Sequence, residues 1–598
     1  MTSPPSIHLP LAISSRVPGR SDNESRWHRA GLAGMLGSIA LMGILPFLWT
    51  VHDYPLASLQ SELVACICLA FALISCGQLE KCEPVVNWPL PALLLALAAG
   101  AALQAAFGSL SYPQMAIRFV LFILTMLAAY LLGRRILAIG RGRDVMDWFC
   151  AAVLIGGIYS TFVQWLQLFD LEIFPSWAAV VFKDTELQKR PFGNLAQANH
   201  LATYLALAML SALYLGIRAL PAWSPPVALF LLSAGIALAG SRMGATFLIV
   251  VIALHFAPSA LRPSRSSARW LGAAFLSTGY ATGLGAVRLT VGQFDTLSRF
   301  GQDTFPVRLE MWKEAWRISM QHPLFGIGVG QFPTGQYWVA VAGPYTFPSV
   351  NCHNLVLQLA AEFGWLAAIA AVTVGLNWAV RDLRRRLREP VPAMAFFSLL
   401  LIAIHSMLEF PLWHLYFAIP AALLFALGES DPSQSKPLAI QRTLPMAGIA
   451  MLFVAIAINL DFSGVAEASK PFFLDAKNIR KLQPEDALAV MSVADSRLFR
   501  PEVERLLLDL RHPPDEDTVL PLERAGRVLA TLPTPEIISR YIVYLAQAGR
   551  VDEALVHVGR LRVFASARYA EYRDWILYQT KDLGPQTAPL RHELRQGY

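Results

Sequence analysis

MAIRFVLFILTMLAAYLLGRR, Met115 to Arg135, decides the fold. It is an apolar run long enough to cross a hydrocarbon core of about 30 Å, and it closes on two arginines. The chain repeats this design. Of its 598 residues, 55% are hydrophobic and 15% charged, against about 25% charged in a soluble protein. Mean hydropathy is +0.46. About 13 apolar runs of roughly 17–25 residues can be counted. They centre near residues 40, 67, 98, 125, 157, 206, 231, 250, 278, 365, 400, 420 and 451. The expectation is an all-α polytopic membrane protein. The formal charge of +7 is no nucleic-acid signal, because the arginines sit in short loops between runs.

Those loops give an expected topology, since short Lys/Arg-rich loops stay in the cytoplasm. Arg134, Arg135, Arg141 and Arg143 follow run four, Arg262, Arg265 and Arg269 follow run eight, and Arg381, Arg384, Arg385, Arg386 and Arg388 follow run ten. All three loops share one side with an N-terminal leader, residues 1–29, that carries Arg16, Arg20, Arg26 and Arg29. The first run is read as a retained span rather than a cleaved signal peptide. The membrane domain is expected over 30–461. A loop at about 289–352 and everything after residue 461 then face outward. Six cysteines, five of them in or beside runs two and five, form no disulfide framework, and no Cys/His spacing suggests zinc.

From 462 to 598 the chain is charged, with helical periodicity. Tyr541 to Phe564, YIVYLAQAGRVDEALVHVGRLRVF, reads as helix, Gly-containing turn, helix, like one tetratricopeptide-type hairpin. Such a domain is either a cap on the membrane part or a surface that holds an acceptor.

Five places carry polar chemistry at the expected outer face. RPFGNLAQANH, Arg190 to His200, sets an arginine, two amides at Asn194 and Asn199, Gln197 and a histidine at the start of a hydrophobic helix. Polar groups there are costly unless paired, so they mark a site or cap the helix. Arg242, in GSRMGA, is an arginine on the outer side, suited to phosphate or to snorkelling. Arg308 opens a helical pattern with Met311, Trp312 and Ala315 that suggests an amphipathic helix on the membrane surface. It precedes HPLFGIGVGQF, His322 to Phe332, whose glycines read as a tight turn. His353, in PSVNCHNLVLQLAAEFGWL (348–366), stands at the mouth of run ten, where it can take a proton from a hydroxyl. HSMLEFPLWH, 405–414, places His405 and Glu409 four apart, as a pair on one helix face.

In this order and spacing the pieces resemble the O-antigen ligase and polymerase superfamily, and more narrowly its bacterial protein O-oligosaccharyltransferases of the pilin-glycosylating type. RPFGN-x-x-Q-x-NH, with Ala198 where proline is frequent, points to the protein-glycosylating branch. SR-x-G from Ser241, Arg308 with Met311 and Trp312, P-L-x-G-x-G, HN-x-x-L-Q from His353, E-x-G-W from Glu362 and H-S-x-x-E-x-P-L-W from His405 complete the pattern over roughly 30–430. The resemblance implies a glycan on undecaprenyl pyrophosphate at the outer face of the inner membrane. It moves en bloc to a Ser or Thr of a pilin or other exported protein, without nucleotide, cofactor or obligatory metal. His353 is the expected general base. Arg190, Arg242 and Arg308 are the expected pyrophosphate ligands, because a leaving pyrophosphate develops negative charge that fixed cations stabilise. Asn194, Gln197, Asn199, His200, Asn354, Glu362, His405 and Glu409 are expected to support them. A single displacement would invert the anomeric centre. Rival readings are a lipid A–core O-antigen ligase, a polysaccharide polymerase and a transporter. A transporter buries its polar groups near the bilayer midplane, whereas here they gather at run ends on one face.

Overall fold

A computed structural model describes residues 22–79, 82–180, 191–195, 197–291, 305–430, 437–473, 484–510 and 519–596. Arg190, Arg16 and Arg20 lie outside the described residues. Helix dominates what is described, and no strand is present among those residues.

The membrane part begins with α1 (Asp22–Leu48), α2 (Leu59–Cys76), α3 (Pro89–Ala106), α4 (Pro113–Ala138) and α5 (Gly142–Phe169). Next come α6 (Ala198–Gly216), α7 (Ser224–Leu238), α8 (Arg242–Phe256) and α9 (Ser266–Val291). Prolines open α3 and α4, where a missing N–H costs nothing. Seven helices are long and apolar enough to cross a membrane: Arg26–Leu48, Leu59–Cys76, Pro89–Ala106, Pro113–Ala138, Gly142–Phe169, Ala198–Gly216 and Thr443–Phe472. Five further apolar helices are shorter. Thus α7 and α8 have 15 residues each, about 22 Å of rise against a core of about 30 Å. The turn between them is tight, as the sequence suggests. Gly240 takes φ 58°, and the Ser241 hydroxyl accepts from Gly244 N to cap α8.

Helix α6 is the centre of the bundle. Every residue from His200 to Leu215 is buried, packed against α5, α7 and α8. Its all-round apolar character is what such a position requires. The N-terminus of this central helix faces the long loop that follows α9.

That loop holds α10 (Phe305–Gln321), α11 (Phe332–Val339) and α12 (Leu355–Phe363), followed by α13 (Trp365–Val380). The run expected around residue 365 is therefore two helices. Gly364, at φ 84°, breaks it, and a side chain there would strike the Leu324 carbonyl. Helix α10 is amphipathic as expected. Met311, Glu314, Ala315, Ile318 and Ser319 are buried, while Phe305, Leu309, Trp316 and Met320 are exposed on the other side. Gly326, Gly328 and Gly330 all have positive φ and form the expected turn. Ile327 N and Gly328 N donate to the Ala361 and Glu362 carbonyls. Glu362 Oε1 accepts from Gly330 N at 3.0 Å.

The chain returns through α14 (Leu383–Arg388), α15 (Pro390–Ser406), α16 (Leu415–Leu427) and α17 (Thr443–Phe473). The expected boundary at 461 is not a helix end, because α17 continues unbroken to Phe473. Loss of hydropathy there marks a change of surroundings rather than of backbone. Phe462, Val465 and Ala468 begin a second small core with Phe499, Val503 and Leu506.

The tail comprises α18 (Pro484–Ser492), α19 (Arg500–Leu510), α20 (Val519–Thr531), α21 (Pro535–Gln547), α22 (Val551–Phe564), α23 (Tyr569–Gln579) and α24 (Ala588–Arg595). The expected hairpin is α21, a turn at Gly549 with φ 75°, and α22. It docks on the loop between α9 and α13. Tyr337 and Ala340 share its core, Tyr337 OH and His557 Nδ1 are 2.7 Å apart, and Arg560 donates to the Ala340 carbonyl.

Candidate active site

Glu409 is the hub of the site. It lies just past the end of α15, which stops at Ser406. Glu409 N still donates to the His405 carbonyl at 2.9 Å, and the His405 ring stays within electrostatic reach of the carboxylate, while the carboxylate oxygens turn to other partners. Its Oε2 is 2.8 Å from His353 Nδ1. Its Oε1 accepts from Asn199 Nδ2 at 3.0 Å and from Arg308 Nη2. Asn199 Oδ1 accepts in turn from the Ser241 hydroxyl at 2.8 Å. One carboxylate therefore joins the loop before α12, the first turn of α6, the first turn of α10 and, through Asn199, the cap of α8.

His353 is held in an uncommon backbone state, φ 54°. A non-glycine residue there stores strain of order 1–2 kcal/mol, and such residues concentrate at functional sites. Asn351 Oδ1 accepts from His353 N at 3.1 Å, and Asn354 Oδ1 accepts from Leu357 N to cap α12. The ring packs edge-on to Phe410. With Nδ1 turned to Glu409, the Nε2 atom faces away from the carboxylate. The His353 side chain is 23% exposed and that of Glu409 8%, so the imidazole is reachable and its orienting carboxylate is shielded.

Burial alone would push the Glu409 carboxyl up. The hydrogen bond and charge of His353, with Arg308 and His405, outweigh burial and hold it below the usual carboxylate range. The carboxylate is thus ionised at neutral pH. Arg242 lies within electrostatic reach of Arg308. Three helix N-termini, those of α6, α8 and α12, open around this cluster, capped by Gln197, Ser241 and Asn354. Their dipoles add positive potential to that of the two arginines.

The structure sorts the remaining expected residues. Gln197 caps α6, accepting from His200 N at 2.6 Å. His200 lies beneath the site, with Nδ1 2.8 Å from the Tyr416 hydroxyl. His405 is buried against Thr203 Oγ1 at 2.7 Å. Asn194 anchors the preceding loop instead of reaching the cluster. It donates to the Leu48 and Ala178 carbonyls and accepts from Val180 N. Glu362 stands away from Glu409 and secures the glycine turn. Ser241, Thr203 and Tyr416 were not singled out as site residues. The SR-x-G motif signals Ser241, whereas no local pattern signals the other two.

The chain is similar to known proteins. Residues 227–372 match the O-antigen ligase family, and residues 191–215 match the protein glycosylation ligase family. Residues 393–574 match the C-terminal region of virulence factor membrane-bound polymerases. A general O-oligosaccharyltransferase of Acinetobacter baylyi is 26% identical over 354 residues, 55% of this chain. The aligned part spans 59% of that relative's length. These matches bear out the resemblance to the O-antigen ligase and polymerase superfamily. Within it, the stretch starting at Pro191 and the Acinetobacter relative put the likeness on the side of the O-oligosaccharyltransferases.

Proposed function

We propose that this protein is a glycosyltransferase that moves an oligosaccharide from undecaprenyl pyrophosphate to Ser or Thr hydroxyls of exported proteins, pilins among them. The observation that carries the reading is the His353–Glu409 pair with Arg308 and Arg242 beside it. A serine hydroxyl is a poor nucleophile until a base removes its proton as it attacks. His353 Nε2 takes that proton, and Glu409 holds Nδ1–H and stabilises the imidazolium that forms. The oxygen attacks the anomeric carbon, and the bond to the pyrophosphate oxygen breaks. Arg242, Arg308 and the three helix N-termini meet the negative charge that develops there. Arg190 is a further ligand for the same group. The displacement inverts the anomeric centre.

In this reading all thirteen apolar runs cross or enter the bacterial inner membrane. The short helices α7, α8, α15 and α16 stop below one surface, which leaves room for the site. The site and the tail face the periplasm, and the arginine loops face the cytoplasm. The tail covers the outer loop through Tyr337 and Ala340, close enough to present an acceptor.

The O-antigen ligase match, over residues 227–372, favours one second reading, transfer to lipid A–core. Membranes supplied with one undecaprenyl-linked glycan and two acceptors, a pilin-type protein and lipid A–core, separate the two. Glycan on the protein supports the proposal, and glycan on the lipid alone refutes it.

A further inference from the structure

At the end of the bundle opposite His353, Arg386 is 2% exposed. Its guanidinium carbon sits 4.2 Å from the Trp378 ring centroid. Its Nε and Nη1 are buried, with no hydrogen-bond partner among the described residues. The neighbouring acids Asp382 and Glu429 line the same cavity and lie within electrostatic reach, but their oxygens accept from other donors. Glu429 accepts from Asn87 at 3.0 Å and from Tyr130 at 2.7 Å, and Asp382 accepts from the Ser430 hydroxyl. A buried cation with unmet donors costs several kcal/mol unless an acceptor joins it. The ring face of Trp378 offsets part of that cost but accepts neither N–H.

Arg386 lines a small cavity of about 20 Å³, walled also by Asn377, Trp378, Arg381 and Glu429. That volume admits one oxygen-sized group. Its rim is open, because Asn377 and Arg381 are exposed. From the rim, Leu366, Ile369, Val372, Leu376 and Val380 run up α13 as an exposed apolar stripe at helical spacing. An oxygen-sized acceptor slot, a cationic rim and an adjoining apolar track together match one kind of ligand.

We propose that this pocket binds the phosphate of an anionic phospholipid in the leaflet opposite the His353 site. One phosphoryl oxygen meets Arg386, a second lies against Arg381, and an acyl chain follows α13. Basic pockets between spanning helices on that side bind lipid headgroups by the same chemistry.

The test uses full-length protein in detergent, stripped of lipid and titrated with phosphatidylglycerol, phosphatidylcholine or inorganic phosphate. Bound lipid is read by native mass spectrometry and thermal stability by melting. Asn377→Asp puts a carboxylate on the exposed rim without touching the buried packing, and Arg386→Met removes the buried donor. The wild type should retain phosphatidylglycerol about tenfold more tightly than either variant, about 1.4 kcal/mol, and be stabilised by it. If Arg386→Met fails to fold, Asn377→Asp carries the test. Equal retention by wild type and Asn377→Asp overturns the proposal, and so does equal retention of phosphatidylcholine. Stabilisation by inorganic phosphate as strong as by the lipid overturns the lipid assignment in favour of a free anion. No binding of any of the three leaves a water in the slot and overturns the site.

Discussion

Glu409→Gln is the sharpest perturbation of the site, because it changes charge and proton count with almost no change in shape. Three donors converge on the two carboxylate oxygens: His353 Nδ1 on Oε2, and Asn199 and Arg308 on Oε1. Glutamine offers one oxygen and one amide NH2. If the oxygen faces His353, the NH2 group meets Asn199 and Arg308, giving two donor–donor contacts beside an unneutralised guanidinium. If the oxygen faces Asn199 and Arg308, the NH2 group meets His353 alone, and the ring can answer by moving its proton to Nε2. The second arrangement wins, and it removes the basic lone pair from the atom that should receive the hydroxyl proton. The expected loss in kcat is about 10²–10⁴-fold, the usual worth of a general base, with KM little changed. Three charge-assisted hydrogen bonds weaken at the same time, a stability cost of about 1–3 kcal/mol. Single-turnover transfer with purified variant, beside a melting curve to show that it is folded, measures both. A folded Glu409→Gln protein with kcat within about threefold of wild type refutes the role given to the pair.

Further outcomes follow from the same coordinates. At φ 54° glycine is unstrained and alanine is not, so His353→Gly should melt as a protein about 1 kcal/mol more stable than His353→Ala, while neither transfers glycan. The Glu409 carboxyl is held below its ordinary value; its contribution is present above the unfolded value of about 4.3 and is lost as pH falls below it. Melting curves across acid pH should show that loss in the wild type and a smaller one in Glu409→Gln. Burial pushes the Glu314 carboxyl up to about 7. A raised acid stabilises below its unfolded value of about 4.3 and has lost that contribution once pH has risen through 7, so Glu314→Gln should remove a decline in stability between about pH 4.3 and 7. Gly326→Ala sets a methyl group against the Glu362 backbone at φ 69°; it should destabilise the loop between α10 and α12 by about 3 kcal/mol or more, read as faster proteolysis there.

Much of the fold is legible because a bilayer leaves the chain few choices. Apolar runs of span length, arginine loops and the Gly240–Ser241 turn all surface in the sequence as local patterns. The break at Gly364 is hidden, since Leu355–Val380 reads as one apolar stretch unless the close approach of the Leu324 carbonyl is known. The end of α17 is hidden for the converse reason, as hydropathy falls twelve residues before the helix stops. Within the site, His353, Arg242 and Arg308 stand out as polar groups at run ends. The central place of Glu409 does not. Its four-residue spacing from His405 suggests a helical pair, and only the three-dimensional meeting of α6, α10 and the loop before α12 turns it toward His353. Asn194 shows the opposite case, a conspicuous polar residue whose side-chain hydrogen bonds go to backbone groups at the end of α1 and in the 178–180 loop.

The central claim, that His353 activates a protein hydroxyl, is tested most directly in proteoliposomes. Purified wild type and His353→Ala would receive the same undecaprenyl-linked glycan and a serine-bearing acceptor, with the acceptor's mass as readout. The account predicts a glycan-mass increment with wild type and a rate lower by about 10²–10⁴-fold with a folded His353→Ala protein. Equal increments at equal rates would contradict it and leave His353 as a helix-end residue with no part in the chemistry.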